Sequence, residues 1–170
     1  GDVLMVSGTL GDHGATILNL REQLGLDGEL QSDCAVLTPL IQRLRTISGV
    51  KALRDATRGG VNAVAHEFAA ACGCGVELTE QKLPLKDAVR GVCELLGLDA
   101  LNFANEGKLV IGVSREAADE VLAALRAHPL GCDAAIIGEV TERRGVRVAG
   151  LYGVKRTLDL PHAEPLPRIC

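Results

Sequence analysis

The side chain with the most distinctive chemical placement is the thiol of Cys170, the last residue of the chain. It ends a tail, residues 161–170, in which three of the first seven positions are proline. Proline neither continues a helix nor suits a central strand, so we expect this tail to be extended or mobile. At roughly 3.1 Å per residue, ten such residues span about 30 Å. The thiol is then a nucleophile on a tether, and the alternative from the tail alone is an incidental cysteine at a frayed terminus.

A second candidate is the segment 55–60, here called the second loop. It places a carboxylate, a hydroxyl and a guanidinium within four residues, beside two glycines, and it precedes a predicted helix. This set of groups suits a metal ion or a phosphate, and a helix N-terminus favours an anion. The alternative is that Asp or Thr caps the helix. The residues are Asp55, Thr57, Arg58, Gly59 and Gly60.

A glycine-rich segment of similar design, residues 8–14, is here called the first loop. Gly11 and Gly14 let backbone N–H groups approach a ligand, and His13 is placed to donate to a phosphate. The segment matches neither a Walker A loop nor the dinucleotide-binding glycine pattern. Alone it indicates a phosphate site only weakly, since most glycine loops before helices are plain turns.

The third loop, residues 105–108, precedes an apolar strand. Glu106 lies there between Asn105 and Gly107. A carboxylate at the mouth of a buried strand is placed to act as a general base. The alternative is a solvated glutamate in a turn.

Composition limits the elements that must position these groups. The 170 residues fit one domain, and 47% are hydrophobic although the chain has one Tyr, two Phe and no Trp, so the core is aliphatic. The net charge of −4 without a long basic run argues against nucleic acid or an anionic membrane as partner. No apolar stretch approaches the ~20 residues of a membrane span.

Hydrophobic periodicity predicts an interleaved order of strands and helices. Several connections are too short for parallel crossovers, so we expect an α+β fold with a mixed sheet flanked by helices. Strands are predicted at 2–7, 50–53, 75–79, 109–113, 134–140 and 146–149, and helices at 15–24, 37–48, 61–72, 85–96 and 116–127.

The remaining cysteines lack the density of a secreted disulfide scaffold. Cys72 and Cys93 are interpreted as buried thiols in helices, and Cys72 and Cys74 stand closer than the usual two-residue-spaced redox or zinc pair. This pattern favours a reducing, cytoplasmic compartment. No His/Cys spacing predicts a structural zinc site, so no metal ligand is assigned.

Taken together, four segments resemble one family. They are Gly11-Asp12-His13-Gly14, the Asp-Ala-Thr-Arg-Gly-Gly of the second loop, Asn105-Glu106-Gly107-Lys108 and the terminal Pro167-Arg168-Ile169-Cys170. In this order, over the whole chain, they resemble the C-terminal half of the HypE family of hydrogenase maturation proteins, the carbamoyl dehydratases. The second loop is shared with the wider superfamily of aminoimidazole ribonucleotide synthetase and selenophosphate synthetase. The terminal cysteine is the specific part.

The resemblance implies a domain over residues 1–160, followed by a mobile tail at 161–170 that carries the reactive cysteine. It further implies that the carbamoyltransferase HypF loads a carbamoyl group on Cys170 and that ATP-dependent dehydration converts this group to a thiocyanate. The cyanide then passes to iron on the HypC–HypD complex for nickel–iron hydrogenase. The implied cofactors are ATP and magnesium, bound mostly by an absent N-terminal half that also forms the homodimer, so this domain alone is expected to be inactive.

The site residues follow from this resemblance. Cys170 is the expected carbamoyl acceptor, and Glu106 is the expected base, with Asp55 in reserve. Two alternatives stay open: another ATP-dependent synthetase of the superfamily, and a non-catalytic module whose terminal cysteine only docks or forms a mixed disulfide. The expected nucleotide-binding residues are Gly11, His13, Gly14, Thr57, Arg58, Gly59 and Gly60.

Overall fold

The computed structural model describes residues 1–26 and 28–161. Its central feature is one seven-stranded sheet in the order β2-β4-β1-β5-β3-β6-β7, in which only β3 and β6 pair in parallel among the described residues. The predicted mixed sheet is therefore confirmed. The strands are β1 Val3–Val6, β2 Val50–Asp55, β3 Gly75–Thr79, β4 Leu109–Val113, β5 Ala135–Thr141, β6 Gly145–Ala149 and β7 Lys155–Thr157.

Helices cover both faces of this sheet, as the α+β prediction requires. Short 3₁₀ turns at Glu80–Lys82, Ala100–Asn102, Arg115–Ala117 and Pro129–Gly131 join several elements. None of the helices in the described part of the chain has the length and apolar character to cross a bilayer. The helices are α1 Asp12–Glu22, α2 Thr38–Leu44, α3 Gly60–Cys72, α4 Asp87–Leu96 and α5 Ala118–Arg126.

Strand β1 lies in the middle of the sheet and is buried on both faces. Leu4 and Val6 belong to a core that includes side chains of α3, whereas Val3 and Met5 belong to one with side chains of α2 and α5. A third cluster, around Phe103, packs α1 against α4 at the edge of the domain. The uninterrupted apolar sequence of β1 follows from this two-sided burial.

The sequence prediction of Cys72 as a buried thiol is wrong. Cys72 lies exposed in the last turn of α3, and its sulfur is bonded to that of Cys74. Gly73 between them has a left-handed φ of 65°, which turns the chain so that the two Cα atoms lie 5.2 Å apart. Cys93 is a free thiol in a helix, as predicted, but it is only partly buried, against the third cluster.

Strand β7 has no counterpart in the predictions from sequence. Its three residues are basic or polar and exposed, and it pairs only with β6 at the edge of the sheet. Strand β7 buries neither of its faces, so its sequence lacks the apolar alternation that identifies a strand.

Candidate nucleotide and carbamoyl site

The three predicted loops meet at one buried side chain, that of Asn105. Its Oδ1 accepts the N–H of Gly11 over 2.8 Å, from the first loop. Its Nδ2 donates to the carbonyl oxygen of Ala56 in the second loop over 3.1 Å and to that of Phe103 over 2.9 Å. Asn105 is 1% exposed, so these bonds form away from water. One amide thus fixes all three loops in a single cluster.

Backbone hydrogen bonds strengthen the same junction. The N–H of Asn105 donates to Ala56 O, and the N–H of Ala56 donates to Lys108 O, each over 3.1 Å. The N–H of Gly14 donates to Ala104 O, also over 3.1 Å. The N–H groups of Gly11 and Gly14 are therefore used within the protein, and a role of either glycine in nucleotide binding stays a prediction.

The second loop leads into the N-terminus of α3. The N-cap is Gly59, with a left-handed φ of 72° and no side-chain cap, so the alternative in which Asp55 or Thr57 caps this helix is wrong. Gly60 also has a positive φ, 61°, and a Cβ there would lie 2.5 Å from the carbonyl oxygens of Leu101 and Phe103. Only glycine fits this close approach.

The first N–H groups of any helix lack intrahelical acceptors. Thr57, which is half-buried, and Arg58, which is exposed, come just before α3 in the chain. This donor set fits a phosphate group. In the described residues no cluster of three or more His, Cys, Asp or Glu side chains is arranged to hold a metal ion.

Asp55, the last residue of β2, is exposed and forms an ion pair with its neighbour Arg54. Its carboxylate lies 2.8 Å from the guanidinium of Arg54, which also pairs with Glu67 over 2.9 Å. The hydrogen bond and charge of Glu67, followed by the charge of Asp55, raise the pKa of Arg54. Asp55 therefore already has a permanently charged partner.

Glu106 stands in a different environment, beside the histidine of the first loop. Its Oε1 lies 4.0 Å from Nε2 of His13, and its side chain is 33% exposed against 10% for His13. His13 Nδ1 lies 2.8 Å from the hydroxyl of Ser32. The structure thus brings two predicted site residues together and adds a third that the sequence did not indicate.

A buried ion pair between Asp33 and Lys108 anchors the third loop. Asp33 Oδ1 accepts the backbone N–H of Glu106 over 3.0 Å, and its Oδ2 lies 3.2 Å from the ammonium of Lys108. The two side chains are 3% and 12% exposed. Asp33 was missed because it lies in a polar segment with no periodic pattern, and nothing in that segment indicates a partner 73 residues away.

The base of the tail lies on α3. Asn62 Nδ2 donates to the carbonyl oxygen of Asp159 over 3.0 Å, and His66 Nε2 lies 2.7 Å from that of Leu158. Leu158 is buried, so this end of the domain is fixed to the helix that begins at the second loop. Cys170 itself lies outside the described residues, and its role as carbamoyl acceptor stays a prediction.

The comparisons with known proteins agree with the predicted resemblance. Residues 1–150 match the family described as AIR synthase related protein, C-terminal domain. The whole chain is 86% identical to carbamoyl dehydratase HypE of Escherichia coli (strain K12) over 170 residues, 51% of that protein. The chain thus spans about half the length of this relative.

Two solved structures are similar in fold. The crystal structure of hydrogenase maturation protein HypE in complex with ATP superposes with a TM-score of 0.91 at 36% identity, over 97% of this chain and 52% of that one. A chain in the crystal structure of a HypE–HypF complex gives a TM-score of 0.90 at 42% identity, over 95% and 53%. The resemblance to HypE predicted from the four segments is confirmed. The chain belongs to the family of C-terminal domains of AIR synthase related proteins.

Proposed function

We propose that this chain is the cysteine-bearing domain of an ATP-dependent carbamoyl dehydratase that serves hydrogenase maturation. In the complete protein, by which we mean this chain joined to the remaining half that its relatives carry, Cys170 receives a carbamoyl group. Dehydration converts this group to a thiocyanate, the cyanide donor for the iron of nickel–iron hydrogenase. The observation that carries the proposal is the junction at Asn105, which gathers the first, second and third loops and presents Glu106 beside them.

The chemistry requires a leaving group, because the oxygen of an amide departs poorly. Phosphorylation of that oxygen by ATP supplies one, and removal of the nitrogen-bound protons completes the dehydration. The N-terminus of α3 with Thr57 and Arg58 would hold a phosphate, and Glu106 would take the protons. ATP binding by a similar HypE supports the use of this nucleotide. We assign most of the magnesium and nucleotide ligands to the other half of the complete protein.

The partners follow from the same chemistry. A carbamoyltransferase must load the thiol, and the similar chain solved as a HypE–HypF complex supports HypF in this role. The product must then reach an iron-bearing acceptor, for which we propose the HypC–HypD complex. We expect a homodimer formed through the other half of the protein, a cytoplasmic location, and little or no turnover by this chain alone.

The test uses the complete protein loaded by HypF, with the modified peptide followed by mass spectrometry. Cys170→Ala should abolish carbamoyl loading, whereas Cys34→Ala, which removes an exposed thiol elsewhere, should load normally. Loading that survives Cys170→Ala would contradict the proposal.

The base is tested separately from the acceptor. Glu106→Gln should load normally yet dehydrate about 10²–10⁴-fold more slowly, the usual loss for a general base. Asp55→Asn should have the smaller effect, because Asp55 is paired with Arg54 at the surface. The reverse order would assign the base to Asp55.

A further inference from the structure

A pair of bonded sulfurs lies at the end of α3, outside the candidate site. Cys72 and Cys74 are joined to each other across one residue, with Cys72 exposed and Cys74 half-buried. Neither takes part in the proposed dehydration. The sequence favours a reducing compartment, where disulfides are rare and those that form are usually catalytic or redox-sensing. The position of this bond therefore points to chemistry.

The turn that joins the two cysteines is held without the bond. The N–H of Gly73 donates to Ala70 O over 3.3 Å, and that of Cys74 donates to Ala69 O over 3.1 Å, so backbone hydrogen bonds close the end of α3. A disulfide stabilises a fold more when it encloses a longer loop, and these cysteines are only two positions apart. The pair can therefore open and close without loss of the surrounding structure.

The surroundings of the pair suit thiol–disulfide exchange. Nε of Arg144, in the turn between β5 and β6, donates to Gly73 O over 3.2 Å and holds a guanidinium next to the pair. Reactive cysteines are typically partly exposed and close to a cation, because the thiolate is the attacking form. Cys72, the exposed member, is placed to attack, and Cys74 is then the resolving thiol.

The tail that carries Cys170 is rooted on the same helix. Asn62, near the start of α3, donates to the carbonyl oxygen of Asp159 over 3.0 Å and fixes the root of the tail there. Cys72 lies ten residues further along this helix, about 15 Å away at a rise of roughly 1.5 Å per residue. The eleven residues after Asp159 end in Cys170 and span up to about 34 Å at roughly 3.1 Å each. The terminal thiol can therefore reach the pair.

We propose that Cys72 and Cys74 form an intramolecular thiol–disulfide exchange site that returns the thiol of Cys170 to its free form. A thiol that receives a carbamoyl group from a partner must be accessible, and in this respect the inference rests on the proposed function. Accessible thiols also form mixed disulfides with glutathione, and such an adduct at Cys170 would block carbamoyl loading. The reduced pair removes the adduct, and the closed pair in the structure is the form that this reaction leaves.

The exchange has two steps, each an attack of a thiolate on a disulfide sulfur. In the first, the sulfur of Cys72 bonds to that of Cys170, the bond to glutathione breaks, and the departing glutathione thiolate takes up the proton that Cys72 lost. In the second, Cys74 bonds to Cys72, and the departing thiolate of Cys170 takes up the proton that Cys74 lost. The mixed disulfide gains two electrons and the pair loses two, so the step needs no further oxidant. Cellular glutathione then reopens the pair.

The test uses the complete protein with Cys34→Ser and Cys132→Ser, which remove two exposed free thiols. Fully reduced protein is mixed with one equivalent of glutathione disulfide, and samples quenched with acid are analysed by peptide mass spectrometry. Glutathione should appear on Cys170 and then leave it, while the disulfide between Cys72 and Cys74 forms at the same rate.

The rate separates exchange within one molecule from exchange between molecules. A thiol on a short flexible linker acts at an effective concentration of the order of 1 mM, about 100-fold above a protein concentration of about 10 μM. The Cys170 adduct should therefore decay about 100-fold faster than in a mixture in which the pair and the adduct are on separate molecules. Dilution of the protein should leave the half-life of the adduct unchanged.

The matched control adds Cys72→Ser and Cys74→Ser, and its Cys170 adduct should persist. Cys74→Ser alone removes the resolving thiol and should trap a disulfide between Cys72 and Cys170. Protein isolated with the pair already closed gives the same comparison without these substitutions, should the double variant fail to fold.

An adduct that lasts equally long with and without the pair would overturn the inference. A half-life that lengthens in proportion to dilution would also overturn it, because the exchange would then occur between molecules. None of these measurements depends on carbamoyl chemistry. Failure of the proposed function would instead appear as missing carbamoyl loading in protein whose Cys170 is a free thiol.

Discussion

The backbone N–H of Gly11 donates a hydrogen bond of 2.8 Å to the side-chain oxygen of Asn105, 94 residues later in the chain. The same amide donates to the carbonyl oxygens of Ala56 and Phe103, and all these groups are buried. A single side chain thus replaces the water molecules that the backbone groups of Gly11, Ala56 and Phe103 would otherwise need as hydrogen-bond partners. The arrangement makes the geometry of the candidate site depend on one residue that has no reactive group.

Replacing Asn105 by Ala should destabilise the domain by about 3 kcal/mol, because three hydrogen bonds are lost and their backbone partners stay buried. Urea unfolding of the chain measures this directly. Asn105→Asp should be at least as damaging, since a carboxylate cannot donate to the two carbonyl oxygens and would be buried without a cation. Loss below about 1 kcal/mol for Asn105→Ala would show that water takes over the amide's contacts.

The buried ion pair between Asp33 and Lys108 gives a second prediction. Lys108→Ala leaves the carboxylate of Asp33 buried without its cation, which should cost about 3–5 kcal/mol in the free energy of unfolding. The double variant Asp33→Asn with Lys108→Met should lose less than Lys108→Ala alone, because no buried charge remains unpaired.

A surface pair supplies the control for this prediction. Lys51 and Asp2 are 2.8 Å apart but 54% and 33% exposed, so Lys51→Ala should cost no more than about 1 kcal/mol. Equal losses from Lys51→Ala and Lys108→Ala would contradict the view that burial sets the strength of the Lys108 pair.

Two glycines in helices should respond in opposite directions to substitution by alanine. Gly60→Ala combines a left-handed φ with a Cβ 2.5 Å from two carbonyl oxygens, so it should destabilise the domain by more than about 2 kcal/mol. Gly91 lies on the exposed side of α4 with open space around its Cα, so Gly91→Ala should stabilise the domain by roughly 0.5–1 kcal/mol. A stabilising Gly60→Ala would show that the second loop can relax, contrary to the close packing described above.

Sequence patterns predicted the fold well where burial is continuous. Strands β3 and β4 have the predicted bounds, because each is a mostly buried run that begins and ends sharply. Helix α1 begins at Asp12, three residues before its predicted start, because the first turn carries polar residues that periodicity does not register. Helix α2 ends at Leu44, four residues before its predicted end, because residues 45–48 form turns. Ile47 in this segment still packs against the core, so the apolar spacing that predicted a longer helix continues past the end of α2.

The candidate site was predictable as a set of loops but not as an arrangement. The types of Glu106, His13 and the glycines indicated chemistry from their immediate neighbours. The contacts of Asn105 and Asp33 connect residues far apart in the chain, and a single sequence carries no local sign of such pairing. The same holds for Ser32, whose position beside His13 depends on the path of the segment between α1 and α2.

The last prediction concerns Cys93, the free thiol on α4 that packs against the third core cluster. Burial, together with the negative charge of Asp99, raises the pKa of Cys93 from its usual value of 9.0 to about 11. Only the thiolate reacts with iodoacetamide, so at pH 8 Cys93 should be alkylated about 100-fold more slowly than a thiol of ordinary pKa, before its restricted access is counted.

The exposed thiols of Cys34 and Cys132 are internal standards for this measurement, and mass spectrometry of the peptides separates all three. The same shift affects stability, because the fold favours the neutral thiol. Its contribution is complete below pH 9 and is lost as the pH rises from 9 to about 11, so the free energy of unfolding should fall over this interval. Cys93→Ala should not show this part of the decline. Labelling of Cys93 at the rate of Cys34 would mean that α4 opens readily. Cys93 would then have to be replaced before labelling of Cys170 is measured.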